Sequence, residues 1–451
     1  MATTASAASR PDRTDAPPGI VRTAFASFIG TMIEWYDFFI FGTAAALIFN
    51  EVFFSNMSAA GGTLASFATF GVAFVARPVG AVLFGHYGDR LGRKKMLVLS
   101  LLLMGGGTVV VGVLPTYETW GMAAPILLVI SRLVQGLAVG GEWGGAILMA
   151  VESAPPKKRA FYGSWPQMGV PAALVLSTLS FYAVRQLPEE QFLSWGWRIP
   201  FLASTLLIGV GLYIRLAILE SPEFSKMKKN DEAAEFPIVE VVKKNWRGLL
   251  VGIGVTAAPN IPFYLATVFV IKYAQDYAGM TSNFMLLALC VAGFVETLGI
   301  PLAAMLADRL GVVKVLMAGA VFMLVLSFPF FWLIDTGNSV LVFLALFLML
   351  AVGHTMTYAP MATFMADLFP TNVRYTGTSV CYHLGGALTS GPVPLVAAAL
   401  VAWAGSALPL SIYLAIASAV TIVALCFARS AMPGQGELSK SNRPAFVATV
   451  R

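Results

Sequence analysis

Twelve stretches of roughly 20 or more apolar residues follow one another along this chain, at about 23–49, 64–86, 96–114, 123–151, 162–184, 198–218, 248–272, 283–306, 313–334, 340–366, 376–402 and 408–428. A run of that length crosses the hydrocarbon core of a bilayer as one helix, which satisfies every backbone hydrogen bond within the segment. The pattern predicts an all-α polytopic membrane protein with twelve transmembrane helices. Composition agrees: 12% of the 451 residues are charged and 58% hydrophobic, whereas soluble domains carry roughly 25% charged residues. Frequent Gly and Pro inside the runs are ordinary in packed membrane helices. No cleavable signal is expected, because Met1–Ile20 has no short apolar core of its own.

Position, not total, gives the net charge of +6 its meaning. The connections after the even-numbered runs hold sixteen basic residues, among them Arg90, Arg93, Lys94 and Lys95 in the first and Lys157, Lys158 and Arg159 in the second. Those after the odd-numbered runs hold three: Arg185, Arg198 and Lys272. This asymmetry predicts that the basic connections and both termini are cytoplasmic. It also accounts for the basic excess without a nucleic-acid partner. The three cysteines, Cys290, Cys381 and Cys426, fall in apolar runs without metal-binding spacing and read as small core residues.

The longest connection, about Glu220–Arg247, divides the chain into two halves of six spans, and the halves repeat. "GDRLGRKKMLV" after the second span has its counterpart in "ADRLGVVKVLM" after the eighth, placing Asp308 219 positions after Asp89. "VESAPPKKR" after the fourth matches "ADLFPTNVR" after the tenth, where Glu152/Asp367, Pro155/Pro370 and Arg159/Arg374 are each 215 apart. Such a parallel duplication is the architecture of two bundles moving about a midplane cavity. The expected layout is a disordered tail (1–22), a six-helix bundle (23–218), a linker (219–247), a second bundle (248–428) and a second tail (429–451).

"GHYGDRLGRKK" (Gly85–Lys95), between the second and third spans, closely resembles the loop motif of the major facilitator superfamily, and "RLVQG" (Arg132–Gly136) resembles its fourth-helix motif. The finer resemblance is to the metabolite:proton symporters, which include shikimate, proline/betaine and α-ketoglutarate permeases. "EWYDFF" (Glu34–Phe39), "FATFGVAFVARPVGA" (Phe67–Ala81), "GGEWGGA" (Gly140–Ala146), "SAPPKKRAFYGS" (Ser153–Ser164) and "SWGWRIPF" (Ser194–Phe201) carry it, and "GTAAALIFNEVFF" (Gly42–Phe54) brings it nearest the shikimate type. The second half matches mainly in "LADRLG" (Leu306–Gly311). The resemblance implies a multi-pass transporter of the bacterial inner membrane, taking up a small organic acid with protons by alternating access. It also implies a gating latch of Asp89, Arg90 and Arg93, whose counterparts are Asp308 and Arg309.

Charge inside the spans locates the chemistry. An ionisable group in hydrocarbon must face the protein interior and find a partner. Glu34 and Asp37, three residues apart, share a face of the first helix; Arg77 lies mid-span in the second; Arg132, Gln135 and Glu142 approximate one face of the fourth. Burial favours the neutral carboxyl and a nearby Arg the charged one, so such a pair can bind a proton in one state and release it in another. Glu34, Asp37, Glu142 and the lone Glu296 of the eighth helix are the candidate proton-coupling groups. Arg77, Arg132, Gln135, Asn260, Tyr264 and Tyr358 are the candidate substrate contacts. A static ion network joining the helices is the alternative for the arginines, and packing is the expected role of His354 and His383.

No nucleophile elbow, metal cluster or Walker A sequence is present, so neither an enzyme nor an ATP-driven pump is expected, and the sequence implies no cofactor. A channel fits duplicated bundles with buried counter-charges less well than alternating access does. Sodium coupling, and a zwitterion such as proline or betaine in place of an organic acid, remain the competing readings. The expected partners are the small molecule, protons and lipid, with a monomer as the working unit.

Overall fold

A computed structural model of the protein describes residues 20–91, 93–140, 143–152, 154–217, 237–370 and 373–432. The principal helices are α1 (Ile20–Leu47), α2 (Ala59–Leu91), α3 (Arg93–Val113), α4 (Ala123–Val139), α5 (Arg159–Val184) and α6 (Ile199–Ala217) in the first half. The second half holds α7 (Trp246–Ala278), α8 (Ser282–Leu310), α9 (Val312–Asp335), α10 (Ser339–Asp367), α11 (Arg374–Ala404) and α12 (Leu408–Cys426). Ten are long and apolar enough to cross a membrane, and the two remaining positions hold the shorter apolar helices Val98–Val113 and Ala123–Val139. A helical segment, Trp143–Glu152, follows α4. The chain is a multi-pass membrane protein of two six-helix bundles. Two boundaries differ from the sequence reading: Pro237–Lys244, inside the expected linker, is helical, and α7 begins at Trp246.

In the first half α1 packs on α5, α2 on α4 and α3 on α6. Between the halves, α5 lies along α8 and α2 along α11. The duplication equates α5 with α11 and α2 with α8, so each seam is the image of the other.

The α2–α4 crossing sets the site. Gly136 and Gly140 are four apart and face α2 so closely that an added Cβ would lie 2.2 Å from the Ala73 carbonyl oxygen and 2.2 Å from that of Arg77. With no water to expel, membrane helices associate through van der Waals contact, and small residues let backbones meet. This crossing sets Arg77 and Arg132 beside one another beneath α1.

Three helices of the second half depart from regular α geometry beside the bundle centre. α7 makes a π-helical turn at Leu265–Phe269 and α10 another at Leu348–His354; such turns occur often at functional sites. α11 breaks between Thr389 and Val393.

Candidate functional site

A cavity lies at the meeting point of both halves. Trp35 and Arg77 line it from the first half, with Val170 of α5 beside them. From the second half come Asn260, Phe263 and Tyr264 of α7, His354 and Tyr358 of α10, and Tyr382, Gly386 and Ser390 of α11. The space between these side chains admits about one water molecule. Closure on one side is close at the second seam, where a Cβ on Gly71 of α2 would lie 2.9 Å from the Gly391 carbonyl oxygen of α11.

Two arginines sit in an aromatic cage. The Arg77 guanidinium carbon is 4.0 Å from the ring centre of Phe74, 4.2 Å from Phe38 and 5.3 Å from Trp35. That of Arg132 is 3.9 Å from Phe41 and 4.9 Å from the same Phe38. Desolvated cation–π contacts are each worth about 2 kcal/mol, which offsets part of the cost of burying these charges. Hydrogen bonding is incomplete. Nε and Nη2 of both arginines have no partner, while Arg132 Nη1 donates to Gln135 Oε1 at 2.7 Å. Gln135 Nε2 in turn donates to Thr108 Oγ1 at 2.7 Å.

The carboxylates of α1 divide between the two cations. Asp37 is buried, accepts a hydrogen bond from Ser204 Oγ at 2.6 Å, and lies within electrostatic reach of Arg132. Glu34, one turn earlier and also buried, interacts electrostatically with Arg77. The helical spacing that the sequence showed thus serves two neighbouring charge pairs.

Of the six expected substrate contacts, Arg77, Asn260, Tyr264 and Tyr358 line the cavity; Arg132 and Gln135 are buried behind it. Asn260 Nδ2 also donates to Thr389 Oγ1 of α11 at 2.9 Å. Glu296 is fully buried on α8 and bonded to His354 Nδ1. His354, expected as packing, instead lines the cavity, stacked between Phe263 and Tyr358 at ring-centre distances of 4.3 and 4.7 Å. His383 is buried with neither ring nitrogen hydrogen-bonded. Trp35, Tyr382 and Ser390 were not singled out in the sequence; only the position of Trp35 between Glu34 and Asp37 hinted at its exposure to the site. Among the described residues no group of three or more His, Cys, Asp or Glu side chains could hold a metal.

The repeated loop motifs meet at the face that carries the basic connections. Arg159 pairs with Asp367 at 2.9 Å and Arg374 with Glu152 at 3.0 Å. The residues equated by the 215-position offset therefore pair crosswise, each half's arginine with the other half's carboxylate. Asp308 of α8 accepts from the backbone N–H groups of Ala160 and Phe161, at 2.9 Å each, capping the N-terminus of α5 across the seam. Arg309 is exposed. The side chains of Asp89, Arg90 and Arg93, and all of Glu142, lie outside the described residues.

Two duplicated bundles closing on a polar, charged cavity midway along their helices define a small-molecule carrier. The chain belongs to the Major Facilitator Superfamily, whose family model matches residues 27–390. It is 42% identical over 406 residues to the inner membrane metabolite transport protein YhjE of Escherichia coli, covering 89% of this chain and 92% of that protein. It is 40% identical to the shikimate transporter of the same organism, over 87% and 91% of the two chains. The proline/betaine transporter of Escherichia coli is 33% identical over 88% and 81%. Among solved structures, the xylose transporter XylE from E. coli superposes with a TM-score of 0.70 at 19% identity, covering 91% and 97% of the two chains, a likeness of fold. The protein is a transporter, not an enzyme.

Proposed function

We propose that the protein takes up a small organic acid across the bacterial inner membrane together with protons, by alternating exposure of the central cavity. The observation that carries this reading is Arg77: a buried cation lining the cavity, held by aromatic faces, whose Nε and Nη2 have no protein acceptor. A substrate carboxylate supplies the missing acceptor, and its bidentate fit to a guanidinium is favourable. The relation to a shikimate transporter supports a carboxylate cargo. Asp37 beside Arg132 supplies a proton site next to, but not inside, the substrate space. Basic connections on the cytoplasmic face, with both termini there, agree with the charge asymmetry.

The test is counterflow of organic acids, amino acids and betaines by the purified protein in liposomes. Arg77→Lys is expected to raise the apparent KM of the best carboxylate by about tenfold, because a point charge cannot reproduce the guanidinium fork. An unchanged KM would assign Arg77 to helix packing. A zwitterion is the second reading, favoured by the aromatic faces of Trp35, Phe263 and Tyr264 and by Glu34, which suit a quaternary ammonium group.

We further propose that the crosswise ion pairs and the Asp308 cap hold the cytoplasmic face shut, the role that the loop resemblance implies for Asp89, Arg90, Arg93 and Arg309. The pairs are partly exposed and worth only ~0.2–1 kcal/mol each, suitable for a gate that must reopen. Glu152→Arg, opposing Arg374, is expected to slow transport about two- to fivefold, and Glu152→Arg with Arg374→Glu to restore most of it. Equal loss in the single and the swapped variant would remove the gate assignment.

A further inference from the structure

From the cavity geometry we infer that His354, oriented by Glu296, binds the anionic group of the substrate opposite Arg77 and makes that binding depend on a proton. The inference rests on the transporter reading above and adds a residue and a chemical rule to it.

Nothing in the surroundings of His354 resembles simple packing. Its Nδ1 is held by a carboxylate that is itself fully buried on a different helix. Glu296 Oε2 has no partner, so His354 is the carboxylate's one hydrogen-bonded contact among the described residues. The imidazole is fixed in plane by Phe263 on one face and Tyr358 on the other. Among the described residues nothing hydrogen-bonds Nε2, on a ring that lines the cavity. A carboxylate on one ring nitrogen fixes the tautomer and leaves the other nitrogen to act on a ligand.

Charge counting gives the consequence. With neutral imidazole, Nδ1–H donates to Glu296 and the pair carries one negative charge, so an anion in the cavity is repelled. One proton added at Nε2 makes the pair neutral overall and presents an Nε2–H donor to the cavity. A carboxylate can then be shared between that donor and Arg77, which lines the same cavity. The proton and the anion favour each other's binding by the same factor, which is what symport requires. The other ionisable groups facing the pair are Tyr358 on α10, Tyr264 on α7, Tyr382 on α11, and Arg77 and Glu34 on α2 and α1. α5 and α9 carry ionisable side chains only near their ends. His354 is thus the group on the second bundle best placed to exchange a proton with the cavity, and its partner on the first bundle is a permanent cation.

Two measurements on the full-length protein test this. The chain has only three histidines, His86, His354 and His383, so 15N-histidine labelling in lipid nanodiscs gives ring-nitrogen signals from three imidazoles, and the Nδ1/Nε2 signal absent from His354→Gln is assigned. That signal is expected to change from the neutral toward the imidazolium form when a carboxylate is added at constant pH, and to respond less in Glu296→Gln, with Glu296→Asp restoring part of the response. A His354 signal unchanged by the carboxylate, or responding equally in Glu296→Gln, would overturn the inference. The second measurement is counterflow of radiolabelled shikimate, and of each carboxylate in the panel above, at pH 6 and pH 8. KM is expected to be about tenfold or more higher at pH 8 than at pH 6 in the native protein, and to differ by less than about twofold between the two in His354→Gln. A native pH dependence retained in His354→Gln assigns the proton elsewhere and overturns the inference. If the native protein exchanges amines or betaines but no carboxylate, the organic-acid reading fails and the anion role of His354 falls with it, whatever its titration. The imidazole signals separate that case from a histidine that never protonates.

Discussion

Asp37→Asn is expected to abolish accumulation driven by a pH gradient while leaving counterflow largely intact. The carboxylate is buried, bonded to Ser204 and close to Arg132, so its charge is set by a proton and by a fixed cation rather than by water. Asn keeps the shape and can still accept the Ser204 hydroxyl, but it cannot release a proton. Exchange of one substrate molecule for another needs no net proton movement; uphill uptake does. Accumulation is expected to fall at least about tenfold, to the level set by the substrate gradient alone. The paired measurement in the same liposomes separates coupling from folding. If Asp37 only compensates Arg132, its loss leaves a buried cation unpaired, and yield and counterflow fall together with accumulation. Full accumulation by Asp37→Asn would transfer the coupling role to Glu34 or to the His354–Glu296 pair.

Gly136→Ala is expected to have an equally large effect, on assembly rather than on coupling. The new Cβ would sit 2.2 Å from the Ala73 carbonyl oxygen, against rigid backbone rather than a side chain that can turn away. α2 and α4 would have to separate, which costs more than the ~1–3 kcal/mol of ordinary overpacking. Their separation also pulls Arg77 and Arg132 out of the Phe38 cage. Detergent-solubilised protein that elutes as a single species is expected to drop about tenfold or more in yield. Gly106→Ala is the control, since a Cβ there meets nothing within 4 Å, and it is expected to express normally. Normal yield and normal transport by Gly136→Ala would mean that the α2–α4 contact does not position the site.

The class of protein was legible in the chain, because hydropathy and charge are read one segment at a time. A helix in lipid closes its own hydrogen bonds, so run length alone located the spans, most of them close to the observed helix ends, although the fourth run joins two helices, Ala123–Val139 and Trp143–Glu152. The duplication was equally local, visible as two loop motifs at nearly equal offsets. What those offsets did not show is that Arg159 and Arg374 exchange partners across the seam, since that depends on how the halves face each other.

Within the site the division is the same. Mid-span charge marked Glu34, Asp37, Arg77, Arg132 and Glu296, because ionisable groups in hydrocarbon are costly wherever they point. Direction was decided only by packing: a glycine crossing turned Arg77 into the cavity and left Arg132 buried behind it. His354 was the residue most changed by the fold. Its neutral imidazole costs little in a helix, so sequence gave no reason to prefer chemistry over packing. Its partner Glu296 lies 58 residues away on another helix. Only tertiary structure brings a carboxylate to one nitrogen and the cavity to the other, because partnership between buried polar groups is a property of helix placement.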